Sequence, residues 1–542
     1  MSIQTKPRFS LSPSLLLWGV SAYLLVTANI SFFTQTSAVY DIGQHLPFLV
    51  SQAVVLLCAI MLFATIFSFF LPVRLVAALF LITGAVVAYF SDTLGIIVDK
   101  EMIRNILGTD FHEAGDLLNW GLILRVGLLG FLPSILLFLI PVRKTSTLAR
   151  QGRLATAAVA AVLMAGISMA PFGDSYASLF REHKPLRYFT NPTHPIYSAI
   201  KLAIDSGAGT IDTTFQSRVT SANIPPEDTE HELVIVVIGE TARADHFSLN
   251  GYERETTPKL AKRKDVFSFH HMQSCGTSTA VSLPCMFSLD NREDFEIDKA
   301  DYTENTLDVL KRAGISILWR DNNTGSQGVA TRVNYQRFNT PDTNPVCDEE
   351  ECRDIGMLTG LDDYIARQDG DILIVLHQIG SHGPAYFKRY PTEYATFTPD
   401  CQSKELGTCT EAEIVNAYDN SILYTDTLLD ATIAFLEGKQ DRYETSMIYL
   451  SDHGESLGEM GVYLHGMPRM LAPDTQTHVP FIVWAGDTSD IDRDRLQARI
   501  DDPLTHDDFS KILLEVFELI IDDNPTVSSR YILPVKRESY TH

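Results

Sequence analysis

The stretch LVIVVIGET, from Leu233 to Thr241, decides the fold class. Six aliphatic residues run without a polar face, end at a glycine, and lead straight into a carboxylate and a hydroxyl. Such a run reads as a strand buried on both faces. Ile315–Trp319, Ile372–Leu376, Ser446–Leu450 and Val479–Trp484 have the same character, and helical patterns such as Thr306–Ala313 and Ile414–Leu436 fall between them. This alternation predicts an α/β domain over 231–542, with a mainly parallel sheet and helices on both faces. In such sheets chemistry gathers beyond the carboxyl ends of the strands. The polar residues that follow these runs are therefore the place to look.

The rest of the chain has a different composition. Of 542 residues, 45% are hydrophobic and only 20% charged, with 43 Lys and Arg against 67 Asp and Glu, a net charge of −24. That balance argues against a nucleic-acid binder, which needs a basic face for phosphates. The hydrophobic share excludes disorder over most of the chain, because it can bury a core. The apolar residues concentrate before residue 172, in five runs at Leu11–Phe33, Pro47–Phe70, Pro72–Phe90, Trp120–Pro141 and Leu154–Pro171. A span needs about 20 residues, so 1–171 is predicted to be a helical transmembrane domain of five spans. A soluble bundle would need polar faces that these runs lack.

Basic residues in short loops orient the spans. Lys6 and Arg8 precede the first, Arg74 lies at the turn before the third, and Arg143, Lys144, Arg150 and Arg153 separate the fourth and fifth. The loop at 34–46 has no Lys or Arg, and Lys100 and Arg104 in the loop at 91–118 are outnumbered by acidic residues. Arg125, early in the fourth run, is expected to snorkel to the outer surface. The N-terminus is thus predicted inside and everything after Pro171 outside. Residues 172–230 read as a connector, interrupted by Pro185, Pro192, Pro195 and Gly207-Ala208-Gly209. Within it Ile196–Ile204 is weakly amphipathic, the pattern of an interfacial helix or of an ordinary surface helix. Cys58 sits alone in an apolar run. The other six cysteines lie in the outer half at 275, 285, 347, 352, 401 and 409, which reads as a disulfide framework. Short separations favour local pairing, and a zinc knuckle would need C-x₂-C spacings that are missing.

Three candidate side chains leave strand ends directly: Glu240 after Leu233–Ile238, and Asp452 and His453 after Ser446–Leu450. Two carboxylates and an imidazole suit zinc or manganese. The segment Ser274-Cys275-Gly276-Thr277-Ser278-Thr279-Ala280 supplies hydroxyls before a predicted helix, whose free N–H groups can hold a phosphate. Metal coordination would make one of these hydroxyls a nucleophile. Spacing alone does not choose among Thr277, Ser278 and Thr279, and helix capping is their other reading. His382 in Gly380-Ser381-His382-Gly383-Pro384 and His465 in Tyr463-Leu464-His465-Gly466 are each placed beside a glycine, to bind a second metal, donate to phosphate or protonate a leaving group. His377 is read as structural.

Taken together, VIGETAR (Val237–Arg243), CGTSTAVSLPCMFS (Cys275–Ser288), SHGP (Ser381–Pro384), SDHGESLG (Ser451–Gly458) and YLHGMP (Tyr463–Pro468) resemble the bacterial lipid A phosphoethanolamine transferases, including the colistin-resistance enzymes. These belong to the alkaline phosphatase/sulfatase-like superfamily. The resemblance covers nearly the whole chain. It implies that Thr279 is the nucleophile and that Glu240, Thr279, Asp452 and His453 hold zinc, with one tight site and a second ion during turnover as an option. It implies that His382 and His465 bind the phosphate or a second zinc, that Asn105 and Glu113 contact the lipid donor, and that Asn323 contacts substrate. It implies three disulfides, Cys275–Cys285, Cys347–Cys352 and Cys401–Cys409. In one respect the chain departs from the family pattern: Gln327 stands where a lysine is usual.

The same resemblance implies an inner-membrane enzyme with a periplasmic catalytic domain. It would move phosphoethanolamine from phosphatidylethanolamine to a lipid A phosphate through a threonine intermediate, making the surface less attractive to polymyxins and cationic peptides. The alternatives are a sister transferase acting on lipopolysaccharide core sugars or moving phosphoglycerol, a phosphatase- or sulfatase-like hydrolase, and an inactive membrane sensor. The formylglycine motif C-x-P-x-R of common sulfatases is missing here.

Overall fold

The computed structural model describes residues 10–108, 111–143, 146–207, 213–226, 228–348, 351–521 and 533. Lys6, Arg8, Lys144, Ala208 and Gly209 lie outside them, as does the side chain of Glu113. Two compact units result: one of Met1–Ile103, Leu118–Asp205 and Met460–Val462, the other of Arg104–Leu117, Ser206–Glu459 and Tyr463–His542.

The first unit is helical: α1 (Pro13–Thr27), α2 (Ile30–Val39), α3 (Ile42–Phe70), α4 (Val73–Leu94), then, past the intervening segment, α5 (Trp120–Leu139), α6 (Thr147–Met169), α7 (Gly173–Glu182) and α8 (Thr193–Gly207). Helix α3, helix α4, helix α5 and the continuous stretch Thr147–Glu182 are long and apolar enough to cross a membrane. The pair α1–α2 makes a fifth candidate, bent by 59°. The sequence reads Leu11–Phe33 as one uninterrupted run, but Asn29 breaks it. Its amide donates to the Leu24 and Asn191 carbonyls, and the Asn191 amide donates to the Ala28 and Gly84 carbonyls. These two buried side chains tie the bend to α4 and to the residues just before α8. Arg125 does not stand alone. It pairs with Asp92 inside the unit, which leaves neither charge isolated among apolar helices.

The second unit is built on an eight-stranded sheet. In chain order the strands are β1 (Glu232–Gly239), β2 (Val266–Gln273), β3 (Ser316–Asp321), β4 (Asn334–Arg337), β5 (Ile372–His377), β6 (Glu444–Ser451), β7 (Ser456–Leu457), β8 (Tyr463–Leu464), β9 (His478–Ala485) and β10 (Leu504–Thr505). Strands β7 and β8 form a separate ribbon; the others order as β10-β2-β9-β6-β1-β5-β3-β4. Pairings are parallel except that β9 runs against β6 and β2. All five strands expected from the sequence are present. Strand β2, with Ser268, His270 and His271 in it, has no apolar run to announce it, and β4 is a largely exposed edge.

Alternate residues of β1 serve opposite faces. Val234, Val236 and Ile238 join a core with Leu307 and Leu310 of α10 (Thr306–Arg312), and with Phe509 and Leu513 of α12 (His506–Val516); α9 (Thr279–Met286) packs on α12. Helix α11 (Glu411–Glu437) packs on β1 and β6. It opens with a capping box in which Thr410 and Glu413 bond reciprocally. Helices thus cover both faces of the sheet, and the site must form beyond the ends of its strands.

Candidate active site

Register builds the site. Gly239 of β1 pairs with Ser451 of β6, Ile238 pairs with His377 of β5, and Asp321 of β3 pairs with His377. Four parallel strands therefore end level, and the next residues of each project into the same space. The backbone N–H of Asp452 donates to the Gly239 carbonyl (3.0 Å), which sets Glu240 beside Asp452. From the other side comes the N-terminus of α9, whose first residue is Thr279.

These groups are almost wholly buried and meet on His453. Its Nδ1 donates to the Gly454 carbonyl (2.9 Å), which leaves the lone pair on Nε2. Around Nε2, each at 3.4 Å, lie Glu240 Oε1, Asp452 Oδ2 and Thr279 Oγ1. The Thr279 hydroxyl donates to the second Glu240 oxygen, Oε2, at 3.0 Å. Glu240 Oε1 and Asp452 Oδ2 are buried and have no hydrogen-bond partner in the structure. Two orphaned carboxylate oxygens and an imidazole lone pair within 4.8 Å of one another fit a divalent cation. The donor set of two carboxylates, one imidazole and one hydroxyl oxygen suits zinc. Without a cation, burial and the neighbouring Asp452 push the Glu240 carboxyl up to about 7; a positive ion reverses that balance.

Hydrogen bonding also separates the three hydroxyls that spacing leaves equivalent. Thr277 is engaged with the Met467 carbonyl at 2.6 Å. Ser278 occupies the N-cap position of α9. Thr279 alone of the three turns to Glu240 and His453. The Cys275–Cys285 disulfide ties this turn to the helix it starts, and Cys347–Cys352 and Cys401–Cys409 close the other two local loops.

The remaining candidates divide. Asn105, Asn323, His382 and His465 line one small cavity together with Thr279 and Gln327. His382 and His465 stack edgewise with ring centres 5.5 Å apart, and the His465 ring lies 4.4 Å from that of His453. Asn323 borders the cavity, but its amide is committed elsewhere. It donates to Glu240 Oε2 (2.8 Å) and to the Gln378 carbonyl (2.7 Å). Glu113 falls on the helix Phe111–Leu117. Gln327 sits in the left-handed region, at φ 48°.

Several contributors carry no signal of their own in the sequence. Glu455 accepts from His465 Nδ1 (2.8 Å) and from the Tyr386 hydroxyl (2.7 Å), so it aims that histidine. Its position two residues after His453 in SDHGES was the available clue. His377 bonds Asp321 through Nδ1 (2.9 Å) and reaches Asn323 at 3.3 Å through Nε2, a buried chain behind Glu240. His506 links the two halves of the site, accepting from the Cys275 N–H (3.1 Å) and facing the Ser451 carbonyl (3.1 Å). Burial holds it neutral, with its pKa lowered to about 4. Gly380 must be glycine: its φ is +52°, and a Cβ there would meet the Glu240 backbone at 2.8 and 2.9 Å.

Comparison with known proteins accounts for both units. A family model described as Sulfatase matches residues 232–519, and one described as Phosphoethanolamine transferase EptA/EptB matches residues 54–206. The phosphatidylethanolamine transferase Mcr-1 of Escherichia coli is 44% identical over 529 residues, covering 95% of this chain and 96% of its own length. The chain belongs to the phosphoethanolamine transferase family. Phosphoethanolamine transferase EptA of Salmonella typhimurium is 39% identical, covering 86% of this chain and 85% of its own. The solved structure of the integral membrane protein lipooligosaccharide phosphoethanolamine transferase A from Neisseria meningitidis matches with a TM-score of 0.89 and 33% identity, covering 94% of this chain and 96% of that one. Both the family and the sulfatase-like α/β fold expected from the motifs are thereby met. Apolar helices and a sulfatase-like domain thus occur together in this chain.

Proposed function

We propose that this chain moves phosphoethanolamine from phosphatidylethanolamine to a lipid A phosphate, with Thr279 carrying the group between them. The carrying observation is the Thr279 hydroxyl itself, buried on Glu240 and His453 while its two hydroxyl neighbours are otherwise placed. The names of the relatives support the choice of donor, and the membrane-spanning helices suit two lipid substrates.

Glu240, Asp452, His453 and the Thr279 oxygen would hold a zinc ion. When bound, it lowers the hydroxyl pKa and offsets charge on the phosphoryl oxygens. Glu240 orients the Thr279 hydroxyl through its 3.0 Å hydrogen bond. In the first step the Thr279 hydroxyl passes its proton to Glu240 Oε2, its hydrogen-bond acceptor, and takes it back at the end of the second; Oγ1 forms a bond to phosphorus, and the bond to the diacylglycerol oxygen breaks. That oxygen takes a proton, for which His465, held by Glu455, and His382 stand at the cavity. In the second step a lipid A phosphate oxygen bonds to phosphorus, and the bond to Thr279 Oγ1 breaks and the hydroxyl regains its proton. Backbone N–H groups at the start of α9 favour the anionic phosphoryl group throughout.

We further assign the membrane helices to the bacterial inner membrane, with the N-terminus in the cytoplasm and the catalytic unit in the periplasm. Product lipid A carries less negative charge and attracts polymyxins and cationic peptides less strongly. The test is mass spectrometry of the purified full chain after incubation with phosphatidylethanolamine alone. The expected result is a phosphoethanolamine adduct mapped to Thr279, lost in Thr279→Ala and after chelation. Intact lipid and unmodified protein with zinc present would overturn the assignment.

A further inference from the structure

The helical unit contains a groove that the transfer chemistry does not use. Its volume is about 170 Å³, and it shares no lining residue with the cavity at Thr279. Leu56 and Ala59 of α3 and Leu179 and Phe180 of α7 make an apolar wall. Into this wall is set Gln52, one to two turns up the same face of α3. Gln52 is only 3% exposed, and neither its amide nitrogen nor its amide oxygen has a hydrogen-bond partner. An orphaned amide among apolar helices costs free energy unless a ligand satisfies it.

The mouth of the groove has one sign of charge. Lys184 and Arg187 supply it, His183 lies beside them, and no carboxylate lines the groove. None of the three makes an ion pair among the described residues, and Arg187 lies against the Tyr188 ring. The nearby Glu182 is exposed and is bonded to Ser178 and paired with Arg181. The groove belongs to a unit with helices apolar enough to cross a membrane, and Phe180 of its wall is 58% exposed. Lipid therefore has access.

We propose that this groove is a glycerophospholipid-binding site separate from the catalytic centre. One acyl chain lies along Leu56, Ala59, Leu179 and Phe180. The phosphodiester sits between Lys184 and Arg187, and the Gln52 amide donates to an ester carbonyl just below the phosphate. Cations, a buried amide donor and hydrocarbon lining one groove match the three kinds of group in such a lipid. A diacylglycerol would satisfy the wall and Gln52 but leave the cations without a counter-charge. Both zwitterionic and acidic phospholipids offer the phosphodiester.

The test is native mass spectrometry of the full chain in detergent, presented separately with phosphatidylethanolamine, phosphatidylglycerol and diacylglycerol of the same acyl composition. The expected result is retention of phospholipid over diacylglycerol by about thirtyfold, taking for each of the two basic side chains the strength it has near an anionic membrane surface. The exposed double variant Lys184→Ala, Arg187→Ala should remove that preference. Gln52→Leu should weaken retention of all three lipids by about fivefold. A phospholipid with a photoreactive acyl chain should label α3 and α7. Retention of phosphatidylethanolamine alone would mark the site as one for the lipid named in the relatives; equal retention of phosphatidylglycerol would mark a general phospholipid site. Equal retention of diacylglycerol by the natural protein, an unchanged double variant, or labelling elsewhere would overturn the proposal.

Discussion

Replacing Asn323 by alanine separates two roles that its position allows. The family resemblance implies a substrate contact, whereas its amide donates to Glu240 Oε2 at 2.8 Å and to the Gln378 carbonyl at 2.7 Å. On the second view Asn323 is a positioning residue that fixes a metal-ligating carboxylate. A hydrogen bond to a charged acceptor contributes about 1.5–3 kcal/mol. At about 1.4 kcal/mol per tenfold, that predicts zinc binding weakened by about 10- to 100-fold, the range usual for partners behind metal ligands. The assay is competition for zinc between the full chain and a chelator of known affinity. Thermal unfolding of the metal-free variant reports any general loss from the unpaired Gln378 carbonyl. Zinc affinity within about twofold of the natural protein, together with weakened donor binding, would refute the positioning role and restore the substrate contact.

Zinc affinity should also depend on pH. Glu240 titrates near 7 without metal and must be ionised to ligate, so affinity should fall by about tenfold per unit below that pH; a flat profile from pH 5 to 7 would contradict this. His506 titrates near 4 in the folded protein against 6.5 for the ordinary side chain. The unfolded chain therefore takes up the proton first as pH falls. The stabilisation is complete above about 6.5 and is lost by about 4, a difference of about 3 kcal/mol; denaturant titrations of the natural protein and His506→Gln should show that loss in the first only. Gly380→Ala should displace the Glu240 backbone, lowering transfer by at least about tenfold while the far-ultraviolet circular dichroism stays unchanged. Full transfer activity in that variant would remove the steric argument.

The parts of the fold legible in the sequence are those whose burial is uniform. Strands β1, β3, β5, β6 and β9 are wholly or almost wholly buried along their length, so each is a near-continuous apolar run. Strand β2 carries His270 and His271 where it is accessible, and Ser268, although buried, interrupts its apolar residues. Its identity depends on pairing partners more than two hundred residues away. The break in the first apolar run depends on Asn29 meeting Asn191. Hydropathy averages over a window, and a single asparagine does not lower it enough to register.

The site follows the same logic at finer scale. Glu240, Asp452 and His453 are legible because a parallel strand end fixes where the next residue goes, and in-register pairing of Gly239 with Ser451 brings two such ends together. Thr279 differs. Its two hydroxyl neighbours have the same chemistry within two residues, and the choice depends on where α9 begins and on which hydroxyl already has an acceptor. Met467, 190 residues away, supplies that acceptor to Thr277. Glu455, His377 and His506 are harder still, since each acts by bonding a side chain or backbone group that some other segment delivers. What the sequence displays are groups placed by their own strand. Groups placed by a partner become visible only when the partner is in position, and the residues that aim the ligands and histidines are of that second kind.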